Sequence, residues 1–314
     1  MKYITYVNQL IKELVAEPEE IVIFGQNVSA GSCISGLTRG LTVKKDGLIL
    51  NTSNSENSLC GIGFGLMLSK VPSIFFMKQQ DFLLLGIDHL VNTYNFIRTK
   101  KPESSFTIFT PIIDNGYQGL QSSLNNFSDF CSIARIPGYA ITNKVDAEKI
   151  LKEHLISPGF RIIGISQRLC SEEILCPSLV NTDEKGNIFK YYSGNDATIV
   201  CFNFSFPQGL ELYNKLKQEN INASLFSVSS IINGDWSKII SDTSITKNMI
   251  ILDDSKSINL SCNSLIKDVL EVTTLKSNIL LSRDLSGDWL SPNEDKLVID
   301  HNQIIEKIKK NNLI

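Results

Sequence analysis

The amino-acid sequence predicts an α/β protein of two domains, each built on a mainly parallel sheet that helices cover. Short apolar runs of strand length alternate with segments of helical periodicity over most of the chain. The chain has 314 residues, of which 42% are hydrophobic, enough to fill a sizeable core. A polar stretch at 171–195, punctuated by proline, glycine and asparagine, interrupts the alternation. We therefore expect a first domain at 1–170, a linker at 171–195 and a second domain at 196–314.

The first domain is predicted to open with a helix, because apolar residues within 5–16 recur three and four positions apart. Three glycines at 61, 63 and 65 are poor helix formers, and we expect them to allow close packing against another backbone. The other predicted elements are strands at 21–24, 48–50, 72–77 and 106–109, helices at 58–69 and 82–97, and a glycine-containing loop at 111–124.

The second domain repeats the alternation of strand and helix after the polar stretch. Its predicted strands are 197–204, 225–228, 249–252 and 279–282, and its predicted helices are 209–219, one from 236, 260–271 and one from 303.

The composition excludes several classes of function. The formal net charge is −3 and no basic stripe is visible, so a nucleic-acid partner is not expected. No run of about 18 apolar residues is present and the first residues do not form a secretory signal, so neither a membrane helix nor export is expected. The seven cysteines are odd in number and form no CxxC motif, which indicates reduced thiols in a cytoplasmic protein.

Histidine is scarce, which limits the sites that the chain can assemble. Only His89, His154 and His301 occur, and they lie far apart in the sequence. This argues against a histidine-based metal site and against a Ser-His-Asp triad. We predict no metal ligands in this chain.

Three loops follow predicted strands of the first domain, where ligands bind in open α/β sheets. In the loop 51–56 (NTSNSE), Glu56 falls near a helix N-terminus, where an acid also has a plain capping role. In the loop 79–82 (QQDF), Phe82 has the alternative of an ordinary core residue. The loop 115–123 (NGYQGLQSS) has the character of a binding loop but carries no dinucleotide or P-loop fingerprint.

The order and spacing of several short motifs resemble a known family, the thiamine-diphosphate-dependent enzymes. The resemblance covers nearly the whole chain, and it is to the beta subunit of 2-oxo acid dehydrogenase decarboxylating components and to the C-terminal section of transketolases. The matching runs are IFGQNV at 23–28, LTRGL at 37–41, NTSNSE at 51–56, GIGFGL at 61–66, DFLLLGIDH at 81–89, RIPG at 135–138, VDAE at 145–148 and GNDATIV at 194–200. The resemblance implies a pyrimidine-binding domain followed by a transketolase C-terminal-like domain.

The resemblance gives Glu56 and Phe82 specific roles. The matching glutamate in the family hydrogen-bonds N1′ of the cofactor's aminopyrimidine and so drives formation of the ylid at the thiazolium carbon. The matching aromatic residue stacks on the pyrimidine face. Their separation of 26 positions also suits the family.

The resemblance further implies that the active site is incomplete in this chain. The family holds the cofactor's diphosphate and Mg²⁺ with a GDG motif, and no GDG occurs here. We therefore expect an alpha-type partner subunit that carries this domain, a heterotetramer of two alpha and two beta chains, and no activity of the chain alone. Apolar surface for the contact is expected from the helix 58–69.

The sequence also departs from the family. Its relatives carry a histidine in the loop that corresponds to 119–124, where this chain has Gln121, Ser122 and Ser123. Gln121 and Ser122 are therefore candidate substrate residues, and His89 is a candidate to replace the histidine, with a packed or surface histidine as the alternative. Gln26 and Asn27 stand where the dehydrogenase relatives have acids, and amides carry no proton relay.

Three functions are compatible with these residues. The first, which we favour, is the beta-type subunit of a transketolase-like transferase or carboligase that moves a two-carbon ketol or acyl unit from a small-molecule donor to an aldehyde or ketone, including a sugar. The second is the beta subunit of a pyruvate-type 2-oxo acid dehydrogenase component, against which the lost histidine and acids argue. The third is a non-catalytic partner subunit, against which the retention of Glu56 and Phe82 argues.

Overall fold

The fold consists of two compact units, Met1–Cys176 and Pro177–Ile314. The structure is a computed structural model that describes residues 1–115, 125–232, 234–283 and 297–312. Each unit contains a six-stranded sheet with helices packed against it. The predicted fold class, α/β with mainly parallel sheets, is therefore confirmed. Among the described helices, none has both the length and the apolar character needed to cross a bilayer.

The sheet of the first unit is entirely parallel. Its strands are β1 (Val22–Gly25), β2 (Leu48–Asn51), β3 (Ser73–Phe76), β4 (Ser105–Ile112), β5 (Gly138–Ile141) and β6 (Gly159–Ser166). They lie in the order β2-β1-β3-β4-β6-β5. Because the carboxyl ends of β1, β2 and β3 lie side by side, the loops that follow these strands meet at one edge of the sheet.

The helices of the first unit cover this sheet. They are α1 (Tyr3–Val15), α2 (Glu56–Leu68), α3 (Tyr94–Arg98), α4 (Phe127–Ile133) and α5 (Lys144–His154). In α1, the side chains of Val7, Ile11 and Val15 recur every four residues and are fully buried, as the apolar spacing predicts. Asn143 and Asp146 form a reciprocal capping box that fixes the start of α5.

The prediction of one continuous α-helix at 82–97 is wrong. The chain instead runs through a 3-10 helix (Gln80–Gly86), a π-helical turn (His89–Thr93) and then α3. All three share the apolar spacing of a helix, so periodicity alone does not separate them. The 3-10 helix brings the backbone of Gly86 against α2, as described below.

The glycines of α2 meet side chains rather than the backbone that the sequence led us to expect. Gly61 faces the imidazole of His89, and Gly63 faces the ring of Phe106, while Gly65 faces open space. The expectation was wrong because a missing Cβ leaves room for a flat ring as readily as for another main chain. Phe106 belongs to an aromatic core in which its ring centroid lies 5.0 Å from that of Phe64.

The sheet of the second unit is mixed. Its strands are β7 (Asn181–Thr182), β8 (Ile188–Tyr192), β9 (Ala197–Phe202), β10 (Ala223–Val228), β11 (Asn248–Asp253) and β12 (Ser277–Ser282). They lie in the order β12-β11-β9-β10-β8-β7, with β8 antiparallel to β10 and β7 antiparallel to β8. Its helices are α6 (Phe206–Gln218), α7 (Ser237–Thr246), α8 (Asn263–Val272) and α9 (His301–Asn312).

Strands β7 and β8 lie within the range 171–195 that the sequence predicts as a linker. Phe189 and Tyr191 of β8 are buried. This short strand was not predicted because turn-forming residues surround it in the sequence. The assignment of the two domains as pyrimidine-binding and transketolase C-terminal-like stays a prediction.

Candidate functional site

Strand β1 ends at a position that only glycine fits. Gly25 has φ +146°, and a Cβ there would lie 2.1 Å from the carbonyl oxygen of Phe76 in β3. On its other side Gly25 pairs with Asn51, the last residue of β2. The backbone N–H of Thr52 donates to the Gly25 carbonyl at 2.9 Å. Gln26 therefore leaves the sheet at its carboxyl edge, beside the turn that leads from β2 to α2.

Glu56 is the first residue of α2 and its carboxyl is buried, with 4% of the residue exposed. The side-chain amide of Gln26, itself 9% exposed, donates from Nε2 to Glu56 Oε1 at 3.0 Å. Glu56 Oε2 accepts no hydrogen bond from any residue that the structure describes. The helix dipole favours an acid at this position, but a capping acid needs neither burial nor a buried amide partner.

The 3-10 helix that carries Phe82 packs against the first turns of α2. A Cβ at Gly86 would lie 2.6 Å from Cys60 Sγ and 3.7 Å from the backbone oxygen of Glu56. Asn57 Nδ2 donates to the carbonyl of Leu85 at 3.3 Å. The segment that bears Phe82 is thus held against the same end of α2 that presents Glu56.

Phe82 itself is half-buried, in contrast to its fully buried neighbour Leu83. Its backbone N–H donates to the carbonyl of Gln79 and closes the first turn of the 3-10 helix. Part of Phe82 therefore remains exposed.

His89 lies against α2 one turn beyond Glu56. Its Nδ1 is 2.9 Å from Thr93 Oγ1, within its own π-helical turn. Its Nε2 faces Gly61, where a Cβ would lie 3.0 Å from that nitrogen. Both ring nitrogens thus face protein groups, as expected of a histidine that serves packing rather than the substrate. The role of His89 toward a substrate stays a prediction.

Cys60 lies one helical turn from Glu56 along α2, and the charge of Glu56 acts on its thiol. Burial raises the pKa of the Cys60 thiol to about 12, and the charge of Glu56 adds to the shift. The thiol is therefore neutral at physiological pH. The buried thiol packs against Gly86.

Gln80, directly before Asp81 and Phe82, is completely buried, and neither atom of its side-chain amide finds a hydrogen-bond partner among the described residues. A buried amide without partners is costly and uncommon. The amide of Gln80 is thus enclosed in the packing at this end of the sheet.

A cavity of about 200 Å³ lies at the carboxyl ends of β1, β3, β4 and β6. Among the described residues, its polar lining consists of amides, hydroxyls, one thiol and one ammonium group, from Asn27, Ser32, Ser35, Lys78, Gln79, Gln167 and Cys170. The cavity therefore offers many hydrogen bonds and little charge.

A buried carboxylate links β4 to β6 at the same edge of the sheet. Asp114 accepts hydrogen bonds from the Ser166 hydroxyl at 2.5 Å and from the Arg168 backbone N–H at 2.9 Å. The guanidinium of Arg168 lies 3.6 Å from the same carboxyl group. Burial raises the pKa of Asp114, and Arg168 opposes that shift. We interpret the trio as a structural link between the two strand ends.

The structure packs the segment of Phe82 and the side chain of His89 against α2, the helix that begins at Glu56. The remaining candidates, Gln121 and Ser122, lie outside the described residues. The bond between Gln26 and Glu56 was not predicted from the sequence. The available signal was that Gln26 directly follows one strand and Glu56 ends the loop after another, and these two strands proved to be neighbours. In the described part of the chain, no three histidine, cysteine, aspartate or glutamate residues cluster as metal ligands.

Curated proteins of similar sequence are beta subunits of pyruvate dehydrogenase. The chain is 22% identical over 260 residues to "Pyruvate dehydrogenase E1 component subunit beta, mitochondrial" of Dictyostelium discoideum, covering 79% of this chain and 72% of that protein. It is 23% identical over 279 residues to subunit beta-1 of Arabidopsis thaliana, covering 84% and 75%. It is 21% identical over 325 residues to the subunit beta of Chaetosphaeridium globosum, covering 96% and 94%. No protein-family model matches the chain.

Among solved structures, the chain is similar to one described as "Split gene transketolase, inactive beta4 tetramer". The TM-score is 0.66 at 14% sequence identity, over 98% of this chain and 95% of the other. Together these matches confirm the resemblance to the beta subunits of two-chain pyruvate dehydrogenases and transketolases that the motif order predicts.

Proposed function

We propose that this chain is the beta-type subunit of a two-chain, thiamine-diphosphate-dependent, transketolase-like enzyme of the cytoplasm. The enzyme transfers a two-carbon ketol or acyl unit from a small-molecule donor to an aldehyde or ketone acceptor. The observation that carries the proposal is the buried carboxyl of Glu56, which has one oxygen held by Gln26 and the other without a described partner.

The residues present fit the pyrimidine end of thiamine diphosphate. A carboxyl oxygen without a described partner, on a residue that is only 4% exposed, suits a ring nitrogen that shares a proton with it. The half-buried Phe82 suits an offset aromatic contact with the same ring. When bound, thiamine diphosphate supplies the carbon that attacks a carbonyl group of the donor.

Each of this chain's residues has a limited task in the proposal. Glu56 holds a proton at N1′ of the aminopyrimidine, which is the step that prepares the cofactor for reaction. Phe82 orients the pyrimidine ring. The lining of amides and hydroxyls in the cavity suits an acceptor that carries hydroxyl groups, such as a sugar.

The remainder of the active site belongs to an alpha-type subunit. This partner would hold the diphosphate and Mg²⁺, and the complex would contain two alpha and two beta chains. The similar solved structure is named a split transketolase in an inactive tetramer of beta chains, and the similar curated proteins are named as beta subunits. Both names support a chain that is inactive without its partner.

A pyruvate dehydrogenase-type component is the second candidate, because the curated relatives carry that name. Gln26 argues against it, since the family resemblance implies an acid at this position in dehydrogenase beta subunits and this chain has an amide. The acceptor separates the two candidates, because a dehydrogenase component hands its acyl group to a lipoyl group and a transketolase hands its two-carbon unit to an aldehyde.

Reconstitution tests the proposal. The chain is co-expressed with a GDG-bearing candidate alpha-type chain from the same genome, and thiamine diphosphate binding is measured by tryptophan fluorescence with Mg²⁺ present. We expect tight binding by the complex and weak binding by either chain alone. Equal binding by the alpha-type chain in the absence of this chain would refute the role of Glu56 and Phe82. Acylation of a lipoyl domain, with no transfer to short hydroxyaldehydes, would select the dehydrogenase instead.

A further inference from the structure

We infer that Gln26 is a positioning residue for Glu56: its amide occupies Oε1 of the buried carboxyl and leaves Oε2 as the oxygen that meets the ligand's ring nitrogen. The inference rests on the proposed function, because it gives the orientation of the carboxyl on which that function depends.

The geometry makes Gln26 the described residue that fixes the side chain of Glu56. The 3.0 Å bond from Nε2 to Oε1 joins two buried groups that lie 30 positions apart in the sequence. A hydrogen bond to a charged group in a buried environment is stronger than one at the surface. Gly25 anchors the backbone before Gln26 between two strands, so the donor cannot drift with a flexible loop.

The chemistry of an amide decides what the bond does. An amide N–H donates to a carboxylate but gives up no proton over the physiological range. A glutamate at position 26 would create two carboxyls at hydrogen-bond distance, of which one would keep a proton at neutral pH. That shared proton would compete with the one at the ligand nitrogen. Gln26 therefore holds Glu56 in place without adding a second acid to the site.

Other titratable groups lie on the elements packed against this end of α2, and they set the background for any pH measurement. Cys60 lies on α2 itself, Asp81 lies on the 3-10 helix, and His89 packs over Gly61. These three groups are unchanged in variants of position 26. A new titration step in such a variant is therefore attributable to the residue introduced at that position.

A matched control exists in α1. Gln9 donates from Nε2 to Glu13 Oε1 at 3.2 Å, but this pair is exposed on the helix surface. Gln9→Glu makes the same chemical change beside a carboxyl group in water, where two neighbouring charges are screened. A difference between Gln26→Glu and Gln9→Glu thus reports on burial at Glu56.

The first experiment uses the chain alone and needs no cofactor. Urea unfolding is followed from about pH 5 to about pH 8 for Gln26→Glu and Gln9→Glu. We expect Gln26→Glu to lose stability relative to Gln9→Glu as the pH rises, because its folded state holds a shared proton that the unfolded state releases earlier. Parallel curves would overturn the inference.

The second experiment uses the complex with the alpha-type chain and measures thiamine diphosphate affinity over about the same pH range. We expect Gln26→Ala to weaken binding about tenfold or more without changing the shape of the pH profile. We expect Gln26→Glu to add a step in which affinity falls as the pH rises. Unchanged affinity and profile in both variants would overturn the inference. Failure of the unmodified complex to bind thiamine diphosphate at all would instead overturn the proposed function.

Discussion

Gly63 of α2 lies directly on the ring of Phe106 in β4: a Cβ at position 63 would approach the ring atoms Cε2 and Cζ to 2.2 Å. The ring of Phe106 cannot move away, because the rings of Phe64 and Phe160 lie 5.0 and 5.2 Å from it, centroid to centroid. The distance between α2 and the sheet is thus set by a glycine. The same helix presents Glu56, so this packing also sets the depth of the candidate site.

Gly63→Ala is expected to destabilise the protein although alanine is the better helix former. Overpacking of a rigid aromatic core costs about 1–3 kcal/mol, which exceeds the gain of about 1 kcal/mol in helix propensity. Gly65→Ala is the matched control, because no atom lies within 4 Å of a Cβ at that position, and we expect it to stabilise the protein. Urea unfolding of both variants measures the difference. A stabilising Gly63→Ala would contradict the packing.

The unfolding free energy is expected to depend on pH through Asp146. This carboxyl accepts hydrogen bonds from the backbone N–H groups of Thr142 and Asn143 at 3.1 and 3.0 Å. Burial nevertheless raises its pKa to about 7. Between about pH 4 and that value the folded state binds more protons than the unfolded state, so stability falls as the pH rises. Asp146→Asn removes the titration. The difference in stability between wild type and variant should therefore shift in favour of the variant from acid to neutral pH, and a constant difference would refute the role of Asp146.

His89→Ala separates the packed from the catalytic interpretation of this histidine. If the ring only fills the space over Gly61 and bonds Thr93, its removal lowers the unfolding free energy by about 1–3 kcal/mol and leaves turnover of the complex within about twofold. His154→Ala is the control, because that ring stacks on Tyr139 at 4.2 Å in the same unit. A loss of turnover of about a hundredfold at unchanged stability would identify His89 as a proton donor or acceptor for the substrate.

The exposed face of α2 is expected to contact the alpha-type partner. Ile62 is 52% exposed and Leu85, on the 3-10 helix that packs against α2, is 58% exposed, and large exposed apolar surface is typical of interaction sites. Ile62→Lys and Leu85→Lys should each weaken association, measured by sedimentation of the co-expressed chains. Phe96, which lies on α3, is 66% exposed. Phe96→Lys should leave association unchanged. Equal effects of all three variants would contradict the assignment of this face.

Much of the fold could be predicted because its signals are local. Buried strands such as β3 and β9 are apolar runs bounded by turn residues. Helix α1 is predicted by apolar residues that recur four positions apart. The change from 3-10 to π to α geometry after Gln80 could not be predicted, because all three conformations place apolar residues on one face. It depends on how closely Gly86 approaches α2.

The candidate site was predicted in part. Glu56 and Phe82 were identified through a family resemblance, and the structure places their segments together without testing their roles. The hydrogen-bond partner of Glu56 could not be predicted, because Gln26 lies 30 positions earlier in the sequence. The two side chains meet only when β1 and β2 pair. Such contacts depend on strand order, which composition and periodicity do not encode.

The most direct test of the central claim is the thiamine diphosphate affinity of the complex with Glu56→Gln, measured beside Glu13→Gln. Glu13 is an exposed acid on α1 that also accepts a hydrogen bond from a glutamine, Gln9, so its variant makes the same change at the surface. The amide at position 56 keeps the size of the side chain but no longer holds an acidic proton. We expect Glu56→Gln to abolish turnover and to weaken binding about tenfold or more, while Glu13→Gln behaves as wild type. Full activity and unchanged affinity of Glu56→Gln would contradict the claim that this carboxyl acts on the cofactor.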